Sequence, residues 1–132
     1  MTKYVVIGSN CFTGSHIVAA LLESAENEVI AISRYSSDAT RQWLENKGVQ
    51  THTADLAEAC IWAELPDSEN VIYLVGQKFG TEDNPGLTWA MNTLVPAYAA
   101  QRYRDAKFVV LSTGCVYPLV PVDSGGATEA TP

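Results

Sequence analysis

The sequence lacks any apolar run near the roughly 20 residues that a membrane-spanning helix needs. Its first residues, "MTKYVVIG", go straight into strand composition without the charged-then-apolar pattern of a signal peptide. No membrane partner is expected, and the expected location is the cytoplasm. Cysteine is scarce: Cys11, Cys60 and Cys115 are odd in number and have no C-x-x-C spacing, which speaks against a disulfide framework and against a zinc site. The only histidines, His16 and His52, have no partner spacing for metal or catalysis. His16 is expected in the first turn of a helix and His52 on a strand facing solvent. Basic residues are also few, eight Lys and Arg against 15 Asp and Glu, for a net charge of −7. This argues against general nucleic-acid binding, because counterion release needs a dense basic face, and no nucleic-acid partner is expected. An anionic ligand must instead be held locally, by loop amides, a helix N-terminus and one or two cations. Repeats and low-complexity tracts are absent.

What is present is a globular composition, 47% hydrophobic and 17% charged over 132 residues, enough for one domain with its own core. Apolar, β-branched runs at 3–8, 28–33, 49–53, 70–75 and 107–112 read as strands. Helical patterns fall between them at 14–25, 38–47, 57–63 and 86–104, and Pro96 should kink the last or push a turn out of register. Continuous Val and Ile runs imply strands buried on both faces, and helical crossovers imply parallel pairing. Right-handed connections then predict an α/β, doubly wound Rossmann sheet in the order 3-2-1-4-5, with helices on both faces. The domain is expected to occupy 1–116, and 117–132, "YPLVPVDSGGATEATP", to be a loop leading to a further C-terminal region.

Several stretches carry chemistry. "GSNCFTGSH" (8–16) follows the first strand and opens a helix, where loop amides and the helix N-terminus converge on a pyrophosphate. Gly8 allows the tight turn and Gly14 close helix-to-strand packing, while Cys11 stands where the backbone should approach phosphate most closely. The bland alternative is a strand-to-helix turn that simply needs glycine. The second strand ends in Ser33-Arg34-Tyr35-Ser36 rather than in an acidic residue. A hydroxyl beside a guanidinium suits a 2′-phosphate and favours NADP over NAD, unless Arg34 is a solvated surface cation. Asp55 has two compatible roles, accepting from an adenine amino group or capping a helix that starts at Leu56 or Ala57. "VIYLVGQKFG" (71–80) ends the fourth strand at the edge where ligands dock, and its Lys78 either meets an anionic ligand or faces solvent. The fifth strand ends in two hydroxyls, Ser112 and Thr113, suited to a substrate carbonyl or to turn chemistry.

In order, these pieces resemble the extended short-chain dehydrogenase/reductase family, the nucleotide-sugar epimerases and dehydratases, in its N-terminal cofactor-binding portion. That family's G-x-x-G-x-x-G loop matches at Gly8 and Gly14, with Cys11 in place of the middle glycine. Asp55-Leu56 is similar to its adenine contact, and "YLVG", with Val75 and Gly76, to its fourth-strand segment. Asn92 matches its N-x-x-G asparagine, with Val95 in place of glycine, and "STGCVYP" its S-S/T-x-x-V-Y-G segment. The resemblance implies that Gly8, Cys11, Phe12, Thr13 and Gly14 surround pyrophosphate, and that Ser33 and Arg34 meet the adenosine phosphate. It also implies that Val75, Gly76, Lys78 and Asn92 flank the nicotinamide side and that Thr113 contacts the reacting oxygen, with Tyr117 structural.

The family's chemistry also needs a Tyr-x-x-x-Lys pair, in which lysine lowers the tyrosine's pKa for proton transfer. The only match is "YRDAK", Tyr103 to Lys107, at the end of a helix feeding the fifth strand. It belongs on the amino edge of the sheet, opposite the cofactor. The resemblance places the genuine pair about two dozen residues beyond Thr113, past the end of this chain. The leading expectation is therefore the NADP- or NAD-binding part of a longer epimerase, dehydratase or reductase acting on a sugar-nucleotide-like or other hydroxyl or carbonyl substrate, and inactive alone. The rival is a noncatalytic dinucleotide-binding or redox-sensing module complete at this length, motivated by the Cys11 thiol near a helix N-terminus. In the resembled family, dimers pair the helix at 86–104 with a later helix, so a full-length homodimer is expected, and weak self-association of this chain. Lys78, Phe79, Trp89 and the loop at 117–126 are expected to form part of a substrate pocket wall.

Overall fold

Five parallel strands form one sheet in the order β3-β2-β1-β4-β5. They are β1 (Thr2–Ile7), β2 (Asn27–Ser33), β3 (Gln50–Thr53), β4 (Asn70–Tyr73) and β5 (Lys107–Val110). The structure, a computed structural model, describes residues 1–78, 82–113 and 116–131. Phe79 and Cys115 lie outside the described residues. The strand order is the one expected from the sequence, and it puts the topological switch point between β1 and β4.

The central strands are apolar on both faces because each face has its own helical cover. Side chains alternate across a strand, so Val5 and Ile7 of β1 enter one core while Val6 enters the other. The first core joins Ile30, Ile32, Val71 and Tyr73 to Trp62, Val95, Ala99 and Tyr103. The second joins Val29 and Ala31 to Val18 of helix α1 (Phe12–Leu21), Leu44 of helix α2 (Asp38–Glu45) and Tyr35. Burying an Ile or Leu side chain contributes about 1.5–3 kcal/mol, so the fully buried Ile7, Ile30, Ile32 and Leu44 anchor the sheet to its covers. At the sheet's end, Val109 and Val110 of β5 remain 57% and 49% exposed.

Two helical expectations are revised. The segment expected as a helix at 57–63 is a 3₁₀ turn, Ala59–Ala63. Its entry is an Asx-type turn, in which the Asp55 carboxylate accepts from the Ala57 amide at 3.1 Å. The helix expected at 86–104 divides into α3 (Pro85–Trp89), a π turn (Ala90–Leu94) and α4 (Val95–Arg102). Pro96 is the cause: it has no N–H to give to the carbonyl four residues back, and the Val95 N–H reaches back five residues to Ala90 O. Pro85 and the Asn84 side chain, which accepts from Leu87 N at 3.0 Å, start the first piece.

Arg102 ties the end of α4 to the 3₁₀ turn and to the segment after it. Its guanidinium donates to Trp62 O at 2.9 Å, Leu65 O at 2.6 Å and the Asp67 carboxylate at 2.6 Å. No helix among the described residues is long and apolar enough to cross a membrane.

Candidate cofactor site

At the carboxyl edge of the sheet, between the ends of β1, β2 and β4, lies a cleft of about 190 Å³. Its floor is the turn after β1. Gly8 has φ +90°, and a Cβ there would stand 3.0 Å from Val75 Cγ2 and 3.3 Å from the Leu74–Val75 backbone. Gly14 is more constrained: a Cβ would meet Gly8 O at 2.5 Å and Ser9 Cα at 2.8 Å. The loop thus lies directly against the first turn of α1.

Cys11 lines the cleft and is exposed, but its backbone is extended, φ −80° and ψ 168°, a conformation open to any residue. It is the N-cap of α1. Its Sγ accepts the Gly14 N–H at 3.2 Å, and its carbonyl accepts from Ser15 N at 2.9 Å. The Gly14 amide is therefore occupied by the thiol, leaving the Phe12 and Thr13 amides as first-turn donors without an intrahelical acceptor. The Phe12 ring is 82% exposed and sits on His16, centroids 4.4 Å apart, clear of the cleft lining. His16 occupies the first turns of α1, its Nδ1 2.9 Å from Phe12 O, and His52 lies on β3, partly buried.

The next part of the cleft is built by the turn after β2. Ser33 is buried, its carbonyl accepting from Ala54 N at 3.0 Å, and it lines the cleft with Arg34 and Ser36. Arg34 is exposed and is the one cation among the described lining residues. Tyr35 between them turns the other way. It is the only non-glycine described with positive φ, +45°, and its ring enters the second core. That backbone costs on the order of 1–3 kcal/mol and needs surroundings that hold it. The Tyr35 hydroxyl donates to Ala31 O at 2.9 Å and meets the fully buried Ser9 hydroxyl at 3.1 Å. Burial raises the Tyr35 pKa above the usual phenol value, so the hydroxyl stays protonated.

Asp55 and Leu56 also line the cleft, Leu56 buried and Asp55 exposed. One Asp55 oxygen accepts from the Ala57 amide in an Asx turn, so no helix is capped at Leu56 or Ala57, and Asp55 remains among the lining residues. Val75 and Gly76 continue the lining after β4. Asn92, from the π turn, clasps the next residue: its Oδ1 accepts from Gln77 N at 2.8 Å and its Nδ2 donates to Gln77 O at 2.9 Å. A Cβ on Gly76 would stand 3.2 Å from that Oδ1, so glycine lets the clasp close. Asn92 shapes the wall through this backbone contact, and Asn92, Lys78 and Thr113 are not among the lining residues. Thr113 is exposed beyond β5, its carbonyl accepting from Val116 N at 3.3 Å.

Sequence reasoning missed Asn10, Ser36, Gln77 and Met91 in the lining and the part played by Tyr35. The adjacent polar triplet around Tyr35 was the available signal, but nothing in it announces a positive φ. Tyr103 sits as expected on the opposite edge, at the C-cap of α4, its hydroxyl donating to Pro66 O at 3.0 Å. Burial pushes its pKa up to about 12, opposite to what a proton-transferring tyrosine requires.

Known proteins with related folds are consistent with this geometry. Solved structures similar to the chain include a mutant of UDP-glucuronic acid 4-epimerase from Bacillus cereus in complex with UDP-4-deoxy-4-fluoro-glucuronic acid and NAD. It is 23% identical with a TM-score of 0.77, over 98% of this chain and 45% of that one. L-threonine dehydrogenase from Clostridium difficile is 20% identical with a TM-score of 0.72, over 98% and 44%. The Bordetella bronchiseptica enzyme WbmF in complex with NAD+ is 19% identical with a TM-score of 0.72, over 93% and 39%. At these identities the likeness is one of fold, and the chain spans less than half the length of each. No curated protein matches the chain. The model of the NAD dependent epimerase/dehydratase family matches residues 4–132, nearly the whole sequence, and the chain belongs to that family.

Proposed function

We propose that the carboxyl-edge cleft holds the adenosine and phosphate end of an NADP-type dinucleotide, as the cofactor half of an epimerase, dehydratase or reductase. The observation that carries this reading is the convergence on one cleft of the glycine turn, Arg34 and Asp55 from three different strand ends. The residues fit such a group. Gly8 and Gly14 leave no Cβ between loop and helix, and the amides of Phe12 and Thr13 at the start of α1 suit a pyrophosphate. Arg34, with Ser33 and Ser36 beside it, suits a 2′-phosphate, and Asp55 with Leu56 suits the adenine edge and face.

When bound, the nicotinamide ring would supply hydride transfer. This chain's part is to bind and orient: Val75, Gly76 and the Asn92-braced Gln77 form the wall leading toward the nicotinamide end, and Lys78 and Thr113 stand farther along that edge. Thr113 is assigned a hydrogen bond to the reacting oxygen. Tyr103 does not supply the proton step, since its hydroxyl is committed to Pro66 O on the far edge. The substrate class proposed is a sugar nucleotide or another hydroxyl or carbonyl compound. The exposed Trp89 and Leu94, 72% and 48% accessible, are the proposed homodimer surface of the full-length protein.

Arg34→Ala tests the cofactor assignment. A charge-assisted hydrogen bond is worth about 1.5–3 kcal/mol, so calorimetric titration should show NADP affinity falling about 10- to 100-fold while NAD affinity changes little. Undetectable NADP binding by the wild-type chain, or an unchanged preference in Arg34→Ala, contradicts it. A smaller effect is expected at Cys11. Cys11→Gly removes the thiol from the Gly14 amide and returns that N–H to the phosphate, so NADP should bind more tightly, by about threefold, less than one hydrogen bond's worth. Unchanged affinity would show that the loop already accommodates the thiol.

A further inference from the structure

We infer that Tyr35 is a positioning residue for cofactor selection, fixing Arg34 and Ser36 against the glycine turn through its hydroxyl contact with Ser9; this rests on the cofactor reading above. The chain leaves β2 at Ser33 and must present two neighbouring side chains, Arg34 and Ser36, to one cleft. Between them the backbone leaves the extended region at Tyr35, φ +45°, and the intervening side chain turns away from the cleft. Here that intervening residue is an anchor. The positive φ of Tyr35 turns its ring into the core beside Val6, Val18 and Val29, and only 8% of it remains exposed.

The anchor reaches across to the other ligand-bearing loop. Ser9 follows Gly8 directly and is fully buried. The tyrosine's single proton goes to Ala31 O, so the Ser9 hydroxyl supplies the hydrogen in the 3.1 Å contact, with Ile32 O as its more distant acceptor at 3.5 Å. The same Ser9 backbone lies against Gly14, where a Cβ would come within 2.8 Å of Ser9 Cα. Glycine turn, helix start and Arg34 turn are therefore joined by this serine–tyrosine contact, beside the Gly8 N–H bond to Ile32 O at 2.8 Å. β1–β2 pairing fixes the strand ends, and that contact fixes the Arg34 turn beyond them relative to the pyrophosphate amides; a 2′-phosphorylated ligand must satisfy both ends. NAD, without the 2′-phosphate, makes no demand on the Arg34 end.

The prediction is selective. Tyr35→Phe keeps the ring and removes both hydroxyl bonds, and Ser9→Ala breaks the bridge from the other side while leaving the Tyr35 bond to Ala31 O. Each should weaken NADP binding about five- to tenfold with NAD affinity held within about twofold, a loss of one neutral hydrogen bond. If Tyr35 acts through Arg34, the two effects are not additive: on an Arg34→Ala background, Tyr35→Phe should cost NADP nothing further. Thermal melts identify any variant that fails to fold, and Ser9→Ala decides the matter if Tyr35→Phe does. NADP and NAD affinities falling together, or neither changing, while Arg34→Ala still removes the NADP preference, would overturn the inference and leave the cofactor reading standing. A wild-type chain that binds NADP no better than NAD would overturn both.

Discussion

Gly14→Ala is expected to cost about 3 kcal/mol of stability and to weaken NADP binding at least about 100-fold, the upper end of what overpacking and displaced positioning groups produce. The added methyl would stand 2.5 Å from Gly8 O, 2.8 Å from Ser9 Cα and 3.0 Å from Ser9 C. All three are backbone atoms of the turn itself, so no side chain can swing aside to make room. Either α1 lifts from the end of β1 or the turn opens, and both movements separate the helix amides from Gly8. Gly48→Ala is the control: unlike Gly14 it has positive φ, +80°, but nothing lies within 4 Å of its added Cβ. It should lose about 1–2 kcal/mol from backbone strain and leave NADP affinity unchanged. Urea denaturation and NADP titration of the two variants measure both effects.

Arg102→Ala is expected to destabilise the chain by about 3 kcal/mol without affecting the cleft. Two buried-side carbonyls, Trp62 O and Leu65 O, accept from this guanidinium, and hydrogen bonds to a charged group contribute about 1.5–3 kcal/mol each. The ion pair with Asp67 adds little, because the Asp67 side chain is 91% exposed and water screens it. Asp67→Ala should therefore change stability by less than about 1 kcal/mol. The comparison separates the carbonyl clamp from the charge pair. Equal losses in the two variants, read from urea midpoints, would show that the ion pair carries the interaction. NADP affinity should stay constant in both, since Arg102 closes the amino edge of the sheet and the cleft opens at the other.

The sheet was legible because its physics is written in residue type: Val5, Val6 and Ile7 in a row need two apolar partners, and helical stretches between such runs allow only parallel pairing. The position of Tyr103 followed from topology alone, since a helix feeding a parallel strand must end at that strand's amino edge. Geometry at single residues was harder to foresee. Pro96 announced a disturbance, but whether the preceding turn would kink or widen to a π turn depends on packing against β4 and β5, which no local pattern reports. Cys11 was read as a residue in the place of a glycine. Its extended backbone shows that no glycine conformation is needed there, and its role as a thiol cap was obscured because Ser, Thr, Asp and Asn are the usual side chains at that position. Tyr35 is the clearest case. Nothing local favours a left-handed tyrosine, and the conformation exists because Ser9, 26 residues earlier, and Ala31 hold its hydroxyl. Asn92 looked like a cofactor-side residue, and its amide clasps the Gln77 backbone instead of lining the cleft.

A dinucleotide in the carboxyl-edge cleft should be detected by titrating NADP into the isotopically labelled chain and following its backbone amides by NMR. Saturable shifts are expected at Gly8 and Cys11 through Gly14, at Ser33 through Ser36, and at Asp55, Leu56, Gly76 and Gln77. Lys3, Ser68, Arg102 and Lys107 on the opposite edge should not move. Shifts confined to that opposite edge, or no shifts at all, would contradict that placement.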